Sequence, residues 1–309
     1  MPRRIFIDTD TASDDAVALM MAFTHVPDAL VGISIVAGNV PLQQGIQNAL
    51  FTRELFSAST PIFAGAAKPL SRPLETAQFV HGDDGMADIG LDLSGREPDE
   101  GDGIQALIDA ADQYPGELEL ITLGPLTNIA LALERDSELA TKIKHCTIMG
   151  GASDGYGNVT PVSEFNLWAD PEAAEIVFAS PMPKTMVGWD ISRKFAVIDD
   201  QDADELRAIG TPVAKIAVDS QATVRKFCEE SSGFQGFDLP DPIAMAVVIS
   251  EKIIVADKSA AVTVMTHDGP TRGLAIIDDR HFSDRQQSTR VILEADREHF
   301  LTLLRTTLS

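Results

Sequence analysis

Strand-like and helical segments alternate along most of the 309-residue chain. Short apolar runs typical of strands are separated by stretches with the periodicity of an amphipathic helix. The strand-like segments are residues 4–8, 30–36, 118–123, 146–149, 185–189, 261–266 and 290–293. The helical patterns are residues 42–56, 104–114, 171–178, 202–209, 213–227 and 242–249. This alternation predicts an α/β fold, an open and mostly parallel sheet with helices on both faces.

The length and apolar content of the chain favour one large domain. With 44% hydrophobic residues, the chain can bury a substantial core. Runs rich in glycine, serine and aspartate at residues 82–103, 151–161 and 231–242 are each bracketed by apolar segments. They are therefore expected to be site-forming loops and not linkers. We predict a single domain over residues 1–309.

The charge balance constrains the partner and the compartment. Lys and Arg number 24 against 47 Asp and Glu, a formal net charge of −23. Such a chain repels nucleic acid and anionic membranes, so a neutral or cationic small molecule is the expected ligand. No apolar run could span a bilayer or act as a signal peptide, and Cys146 and Cys228 lack metal or disulfide spacing. A cytoplasmic protein with reduced thiols is expected.

Four carboxylates, Asp8, Asp10, Asp14 and Asp15, follow the first predicted strand within eight residues. Asp8 and Asp10 would lean to one side at the carboxyl end of the strand, and Asp14 and Asp15 would open the next helix. Ligands of open α/β sheets bind beyond the carboxyl ends of the strands. The concentrated charge predicts a site for a hard cation such as Ca²⁺ or Mg²⁺. Helix capping is the alternative, but it leaves Asp8 and Asp10 without a role.

Other polar motifs follow later predicted strands. A Gly-Pro turn at residues 123–128 allows the backbone to bend, so that the main-chain carbonyl of Leu123 can face the crevice. The Glu-Phe-Asn segment at residues 164–166 follows a glycine-rich loop, and Asp241 begins a later helix. Taken singly, the turn and the Asp-Pro pair at Asp241 are equally typical of ordinary helix starts.

Taken together and in order, these motifs resemble those of a nucleoside hydrolase of the inosine-uridine-preferring family. The most specific parts are the opening Asp-Thr-Asp…Asp-Asp motif and the Glu-Phe-Asn segment. The other matches span nearly the whole chain: Gly38-Asn39, His81-Gly82, Leu126-Thr127-Asn128, Met149-Gly150-Gly151, Asp170-Pro171-Glu172-Ala173-Ala174 and Asp241-Pro242. The resemblance implies hydrolysis of the N-glycosidic bond of ribonucleosides, giving free base and ribose, by a homodimer or homotetramer that holds one Ca²⁺ per chain.

The resemblance also implies roles for individual residues. Asp10, Asp15 and Asp241 would be the carboxylate ligands of the ion, together with the main-chain oxygen of Leu123. Asp10 would in addition accept a proton from the attacking water. Anionic groups around the sugar suit its cationic transition state better than the neutral substrate. The residues that resemble the ribose-binding groups of the family are Asp14, Asn39, Asn158, Glu164 and Asn166, with Met149 as the apolar contact beneath the sugar.

One departure from the family pattern concerns the departing base. Many members carry a histidine acid directly before the aspartate that Asp241 matches, whereas this chain has Pro240. His81 resembles a pocket histidine of the family and could supply the proton, although a structural role in its loop fits equally well. Aromatic stacking can instead raise the basicity of a purine, so we expect a preference for purine nucleosides. The aromatic residues proposed for this stacking are Trp168, Phe227, Phe234 and Phe237.

Two other functions fit part of the sequence. Residues 5–11 also match the haloacid-dehalogenase phosphotransferase pattern, in which Asp8 would be phosphorylated beside Mg²⁺ and residues 276–279 would form a late acidic motif. That mechanism has no use for Asp14, Asp15 or the Glu-Phe-Asn segment. The third possibility is a nucleoside- or sugar-binding protein that keeps the metal site without turnover. Release of phosphate or of ribose distinguishes the two enzymes, and ribose binding without release of base marks the binding protein.

Overall fold

The computed structural model describes residues 3–280 and 287–309. In these two ranges, strands and helices alternate for most of the chain. The strands are β1 (Arg4–Thr9), β2 (Leu30–Ile35), β3 (Ile62–Ala64), β4 (Leu118–Thr122), β5 (Ile143–Met149), β6 (Lys184–Val187), β7 (Val197–Ile198), β8 (Phe237–Asp238), β9 (Ile254–Val264), β10 (Ala275–Asp278) and β11 (Thr289–Ala295).

The helices differ widely in length, and several are a single turn. They are α1 (Ser13–His25), α2 (Leu42–Leu55), α3 (Gln78–His81), α4 (Gly103–Gln113), α5 (Thr127–Arg135), α6 (Leu139–Lys142), α7 (Phe165–Ala169), α8 (Pro171–Ala179), α9 (Trp189–Phe195), α10 (Asp200–Arg207), α11 (Pro212–Asp219), α12 (Ala222–Ser232), α13 (Pro240–Ile249) and α14 (Arg297–Leu308). Two 3₁₀ helices, Pro27–Ala29 and Glu251–Ile253, lead into β2 and β9.

Nine of the strands form one sheet, in the order β10-β9-β11-β6-β5-β4-β1-β2-β3. All neighbouring pairs from β11 to β3 are parallel, whereas β9 runs antiparallel to both β11 and β10. The short strands β7 and β8 pair with each other outside this sheet. The prediction of an open, mostly parallel α/β sheet is confirmed.

Apolar helix faces cover both sides of the sheet. Side chains alternate along β1, so Ile5 and Ile7 join one hydrophobic cluster and Phe6 joins the other. The first cluster contains apolar residues of α1, α2, α13 and α14, and the second contains those of α4, α5 and α8. Helices therefore lie on both faces, as predicted. No helix in the part of the chain that the structure describes is long and apolar enough to cross a bilayer.

Several element boundaries differ from the sequence-based expectation. The strand expected at residues 261–266 begins at Ile254, because its first half alternates between partly buried and exposed residues and lacks a continuous apolar run. The helix expected at residues 213–227 is divided into α11 and α12 around the buried Ser220 and Gln221. Strands β3, β7, β8 and β10 were not predicted, since two to four residues are too few to show a period.

Candidate active site

Three carboxylates from two helix starts lie close together at the carboxyl end of the sheet. Asp14 and Asp15 are in the first turn of α1, directly after β1, and Asp241 is in the first turn of α13. Because α13 packs against α1, one carboxylate oxygen of each residue lies within 4.8 Å of the other two. All three side chains are buried. The fold thus brings Asp14 and Asp15 of the predicted acidic corner together with Asp241, which only the family resemblance had joined to them.

Burial and mutual repulsion make this group unfavourable without a cation. Burial raises the pKa of Asp14 to about 6 and that of Asp15 to about 6, and burial with the neighbouring Asp15 raises the pKa of Asp241. Asp14 Oδ1 and Asp241 Oδ1 are buried and have no hydrogen-bond partner within residues 3–280 and 287–309. Buried oxygens of this kind are costly unless a cation or a donor satisfies them. The three carboxylates therefore fit a hard divalent cation.

Asp10 lies beside this group in a tightly enclosed position. Its Oδ2 accepts a hydrogen bond from the backbone N–H of Asn39 at 2.6 Å. A Cβ atom at Gly38 would lie 2.1 Å from Asp10 Oδ2, and one at Gly124 would lie 2.9 Å from Asp10 Oδ1, so both neighbours must be glycine. Burial, with the adjacent Asp15, raises the pKa of Asp10. The predicted carboxylate ligands were Asp10, Asp15 and Asp241. The three carboxylates that have oxygens within 4.8 Å of one another are Asp14, Asp15 and Asp241.

Asp15 and Asp8 are both held by side-chain hydrogen bonds. Asp15 Oδ1 accepts from Thr9 Oγ1 at 2.5 Å, and Oδ2 accepts from the Ala12 N–H at 2.9 Å, so Asp15 also caps α1. Asp8 accepts from the side chains of Ser34 and Asn128, and burial raises its pKa to about 7. Helix capping therefore accounts for the hydrogen bond that Asp15 Oδ2 accepts. It does not account for Asp14 Oδ1, which has no hydrogen-bond partner in the described part of the chain.

The phosphotransferase alternative lacks its expected geometry. Asp8 is fully buried, and its Oδ2 accepts hydrogen bonds from the side chains of Ser34 and Asn128. Residues 276–278 lie on β10, which is separated from β1 by five strands of the sheet. The two acidic motifs that this mechanism would combine are therefore far apart.

The cavity above the carboxylates has a polar and an apolar part. All six residues predicted to contact the ribose line it, and so do Leu123, His81 and Asp241. The polar residues around it are Asp14, Asn39, His81, Asn158, Glu164, Asn166, Asp238 and Asp241. The apolar residues are Ala77, Phe79, Val80, Leu123, Met149, Val159, Phe165, Trp189, Val224, Phe227, Cys228 and Pro240.

Asn166 connects two strand ends at the floor of the cavity. Its Nδ2 donates to the main-chain carbonyl of Leu123 at 2.8 Å and to that of Met149 at 3.3 Å. These residues lie at the carboxyl ends of β4 and β5. A carbonyl oxygen has two lone pairs, so Leu123 retains one for a second contact such as a cation. The Leu123 carbonyl oxygen can therefore still bind a cation, which is the role that the resemblance implies for it.

Glu164 organises the segment that carries Asn166. As the N-cap of α7, its Oε1 accepts from the Asn166 N–H at 2.8 Å, and its Oε2 accepts from the Gly151 N–H at 2.8 Å and the Leu167 N–H at 3.3 Å. Burial nevertheless raises the pKa of Glu164 to about 7. The side chain therefore fixes backbone at the cavity wall in addition to its predicted contact with the ribose.

The raised pKa of Glu164 predicts a specific pH dependence of stability. Below its ordinary pKa of 4.5, the carboxyl is protonated in both the folded and the unfolded chain. Between that value and about 7, the unfolded chain loses the proton first, so the contribution of Glu164 to the free energy of unfolding falls as pH rises, by at most about 3 kcal/mol. Urea unfolding of metal-free wild type and Glu164→Gln should show a difference in stability that changes over this range. A difference that is independent of pH would contradict the assignment.

His81 forms part of a buried hydrogen-bond chain at the cavity wall. Its Nδ1 lies 3.1 Å from Ser13 Oγ and 3.8 Å from Asp14 Oδ1. The Ser13 hydroxyl donates its proton to Gln221 Oε1 at 3.0 Å, so it accepts from Nδ1–H of His81 and leaves Nε2 unprotonated. Burial also lowers the pKa of His81 to about 4. Neutral His81 in this tautomer has no Nε2 proton to donate.

Of the four aromatic residues proposed for base stacking, the structure places one at the cavity. Phe227 lines the cavity. Trp168 packs against Phe165 and Gly273 outside it, Phe237 is a core residue of β8, and Phe234 is a surface residue, 36% exposed. Sequence reasoning chose them for their closeness along the chain to Asn166 and Asp241, but tertiary packing directs their rings elsewhere.

The sequence analysis did not single out several residues that line the cavity, among them Phe79, Trp189 and Asp238. Phe79 is two positions before His81, and Trp189 follows the end of a strand, so proximity to a motif and to a strand end were the available signals. Asp238 is in a two-residue strand that shows no sequence pattern.

Comparison with known proteins agrees with this geometry. Residues 5–302 match the model of the family described as inosine-uridine preferring nucleoside hydrolase. A pyrimidine-specific ribonucleoside hydrolase RihA of Shewanella sp. (strain ANA-3) is 35% identical over 306 residues, 98% of this chain and 95% of the relative. Uridine nucleosidase 1 of Arabidopsis thaliana is 36% identical over 257 residues, 82% of this chain and 76% of the relative.

Solved structures show the same architecture. The plant nucleoside hydrolase PpNRh1 superposes with a TM-score of 0.92 at 29% identity, over 100% of this chain and 99% of that one. A purine-preferring ribonucleoside hydrolase from Gardnerella vaginalis gives a TM-score of 0.91 at 29% identity, over 99% and 98%. The acidic site, the sheet and these matches together show that the chain belongs to the inosine-uridine preferring nucleoside hydrolase family and is an N-glycosyl hydrolase of ribonucleosides.

Proposed function

We propose that this hydrolase requires Ca²⁺ and prefers purine ribonucleosides. The observation that supports the metal is a pair of buried oxygens, Asp14 Oδ1 and Asp241 Oδ1, which have no hydrogen-bond partner among the described residues and belong to a group of three carboxylates. Ca²⁺ accepts irregular oxygen geometry more readily than Mg²⁺ does. When bound, the ion supplies the positive charge that keeps these carboxyls ionised and makes a nearby water more acidic.

The protein side chains have separate tasks in the proposed reaction. Asp10, fixed by Asn39, accepts the proton of the water that attacks the anomeric carbon. Asn158 and Asn166, with the carboxylates on the polar side of the cavity, orient the ribose. As the C1′–N bond breaks, positive charge develops on the sugar ring. The surrounding carboxylates stabilise that charge more than they stabilise the neutral substrate.

The proposed purine preference depends on the apolar end of the cavity. The rings of Phe79 and Phe227 contact each other edge to face, with centroids 5.8 Å apart. Both line the cavity, so they can pack against a large base. Pro240 cannot donate a proton, and His81 is neutral with Nε2 unprotonated. Aromatic contact with a purine is therefore the route to base activation that these residues support.

Pyrimidine nucleosides are the second candidate substrates. The relatives that favour them are the pyrimidine-specific RihA enzymes and the uridine nucleosidase, all more similar in sequence to this chain than the purine-preferring structure is. A panel of ribonucleosides with a reducing-sugar readout distinguishes the two preferences.

Inosine is expected to have at least about tenfold higher kcat/KM than uridine, since one well-formed pocket contact contributes on this scale. Phe227→Ala is expected to reduce kcat for inosine about tenfold, with a smaller change in KM, because the ring acts on the departing base. Phe234→Ala, at an exposed aromatic residue outside the cavity, serves as the control and should leave both values unchanged. Faster cleavage of uridine than of inosine would overturn the purine proposal. Loss of all activity in His81→Ala would assign the proton donor to that histidine.

We also propose that the enzyme works in the cytoplasm as a homodimer or homotetramer on free nucleosides. The excess of acidic residues and the reduced thiols of Cys146 and Cys228 support the cytoplasmic location, and the dimer or tetramer is what the resemblance to the family implies. Light scattering coupled to gel filtration measures the oligomeric state, and a monomeric mass with full activity would contradict it.

A further inference from the structure

The cavity has more negative charge than the sugar and the ion require. Four carboxylates line it, and the lining residues within the described part of the chain include no lysine or arginine. Asp14 and Asp241 belong to the cation group, and both oxygens of Glu164 accept backbone N–H groups. Asp238 is the carboxylate that none of these tasks uses.

Asp238 is oriented by neutral donors. Ser192 Oγ donates to its Oδ2 at 2.5 Å, and the Trp189 side chain forms a second hydrogen bond. The nearby Arg193 pairs with Asp154 at 2.7 Å and lies 4.4 Å from the centre of the Trp189 ring. Within residues 3–280 and 287–309, no basic side-chain nitrogen lies within 4.0 Å of the Asp238 carboxylate. The Asp238 carboxylate at the cavity wall therefore has no ion-pair partner within that distance in these two ranges, and the charge of Arg193 acts on it from farther away.

The cavity wall also has aromatic faces. Asp238 lines the cavity together with Phe227, Trp189 and Pro240, and Phe79 lines it with 69% of its surface exposed. Aromatic faces and carboxylates both attract a cationic ring. Pro240, directly before Asp241, has no proton to give to a departing base.

A base that already carries a positive charge needs no such proton. When its C1′–N bond breaks, the electron pair passes to the ring nitrogen and cancels the charge, so the base leaves as a neutral molecule. The hydroxyl of the attacking water joins C1′, and the remaining proton of that water passes to Asp10 and then to solvent. The products are ribose, neutral base and one proton, so the step balances without an acid.

We propose, building on the ribonucleoside hydrolase function above, that this cavity selects ribosides whose base carries a formal positive charge, and that Asp238 is the residue that selects them. The chemical class comprises pyridinium ribosides and N7-alkylated purine ribosides. Asp238 acts as a fixed counter-charge to the base, and the Phe79 and Phe227 rings form the wall against which the cation packs.

The test compares a cationic and a neutral base in matched variants. The ratio of kcat/KM for 7-methylguanosine to that for guanosine is measured in wild type and in Asp238→Asn, so that the greater intrinsic lability of the methylated substrate cancels. The ratio is expected to fall roughly tenfold in Asp238→Asn, the scale of one partly shielded charge contact. Asp136→Asn, which also removes a partly buried carboxylate but beyond the far end of α5, should leave the ratio unchanged. Nicotinamide riboside, whose base is a pyridinium cation, tests the other half of the proposed substrate class.

Binding gives a readout that does not depend on turnover. Calorimetry with 1-methylnicotinamide and with neutral nicotinamide should show tighter binding of the cation by wild type, and Asp238→Asn should abolish the difference. Cleavage of nucleosides with a ratio that changes less than about twofold in Asp238→Asn would overturn this inference and leave the hydrolase function intact. Failure of wild type to cleave any riboside would instead contradict the proposed function itself.

Discussion

Replacing Asp10 with asparagine is expected to lower kcat for ribonucleoside hydrolysis about a hundredfold or more, the scale expected when a general base is removed. Asparagine fills the same space between Gly38 and Gly124, so the packing around residue 10 should persist. KM should change much less than kcat, because the ribose-binding side chains remain. A reducing-sugar assay at saturating inosine, with thermal unfolding and calcium content measured in parallel, separates lost chemistry from lost structure.

Asp8→Asn is the matched control for this experiment. Asp8 is equally buried and two residues away, but its Oδ2 accepts hydrogen bonds from the side chains of Ser34 and Asn128. Both bonds end on Asp8 Oδ2, and an amide oxygen with two lone pairs can accept both, so retained turnover with little change in melting temperature is expected. Near-normal turnover in Asp10→Asn together with an inactive Asp8→Asn would contradict the assignment and restore the phosphotransferase interpretation.

Prolonged chelation is expected to abolish turnover, and added Ca²⁺ is expected to restore it. Elemental analysis of gently purified protein should find about one Ca²⁺ per chain, because the three clustered carboxylates form a single oxygen-rich site. Removal of the ion should also lower the melting temperature by several degrees, in a manner that depends on the Ca²⁺ concentration, since a ligand that binds only the folded chain stabilises it.

The identity of the ion is tested by the pattern of recovery. Because the carboxylates come from irregular helix starts, Ca²⁺ should restore more activity than Mg²⁺ at equal concentration. Zinc in the purified protein, or full activity after complete removal of metal, would contradict the calcium proposal. Asp241→Asn should weaken Ca²⁺ binding in a direct titration, a readout independent of catalysis.

Local sequence patterns predicted much of the fold and part of the site. The alternation of strand-like runs with helical periodicity predicted the sheet, and the position of Asp14 and Asp15 after the first strand predicted an acidic corner. Asp241 and the Leu123 carbonyl were different, since their local patterns matched ordinary helix starts and turns. Only the resemblance joined them to the site, because the contact of α13 with α1 depends on tertiary packing that no local pattern shows.

The base-binding end of the cavity was the least predictable part. Proximity along the chain suggested Phe234 and Phe237, yet one ring lies at the surface and the other in the core. Phe79 lies on a four-residue helix and Asp238 in a two-residue strand, and elements of that length have no detectable period. The direction of a side chain in such elements is set by the surrounding fold.

The packing of α1 against α13 also has a consequence for the order of folding. Asp15 and Asp241 are separated by most of the sheet in sequence, so the cation site depends on one of the most non-local contacts in the molecule. During synthesis the amino-terminal carboxylates emerge long before Asp241 does, and they must remain solvated or protonated until α13 arrives. Uptake of a cation at this site would then be a late event, and a bound ion would mark chains in which α13 has already packed against α1.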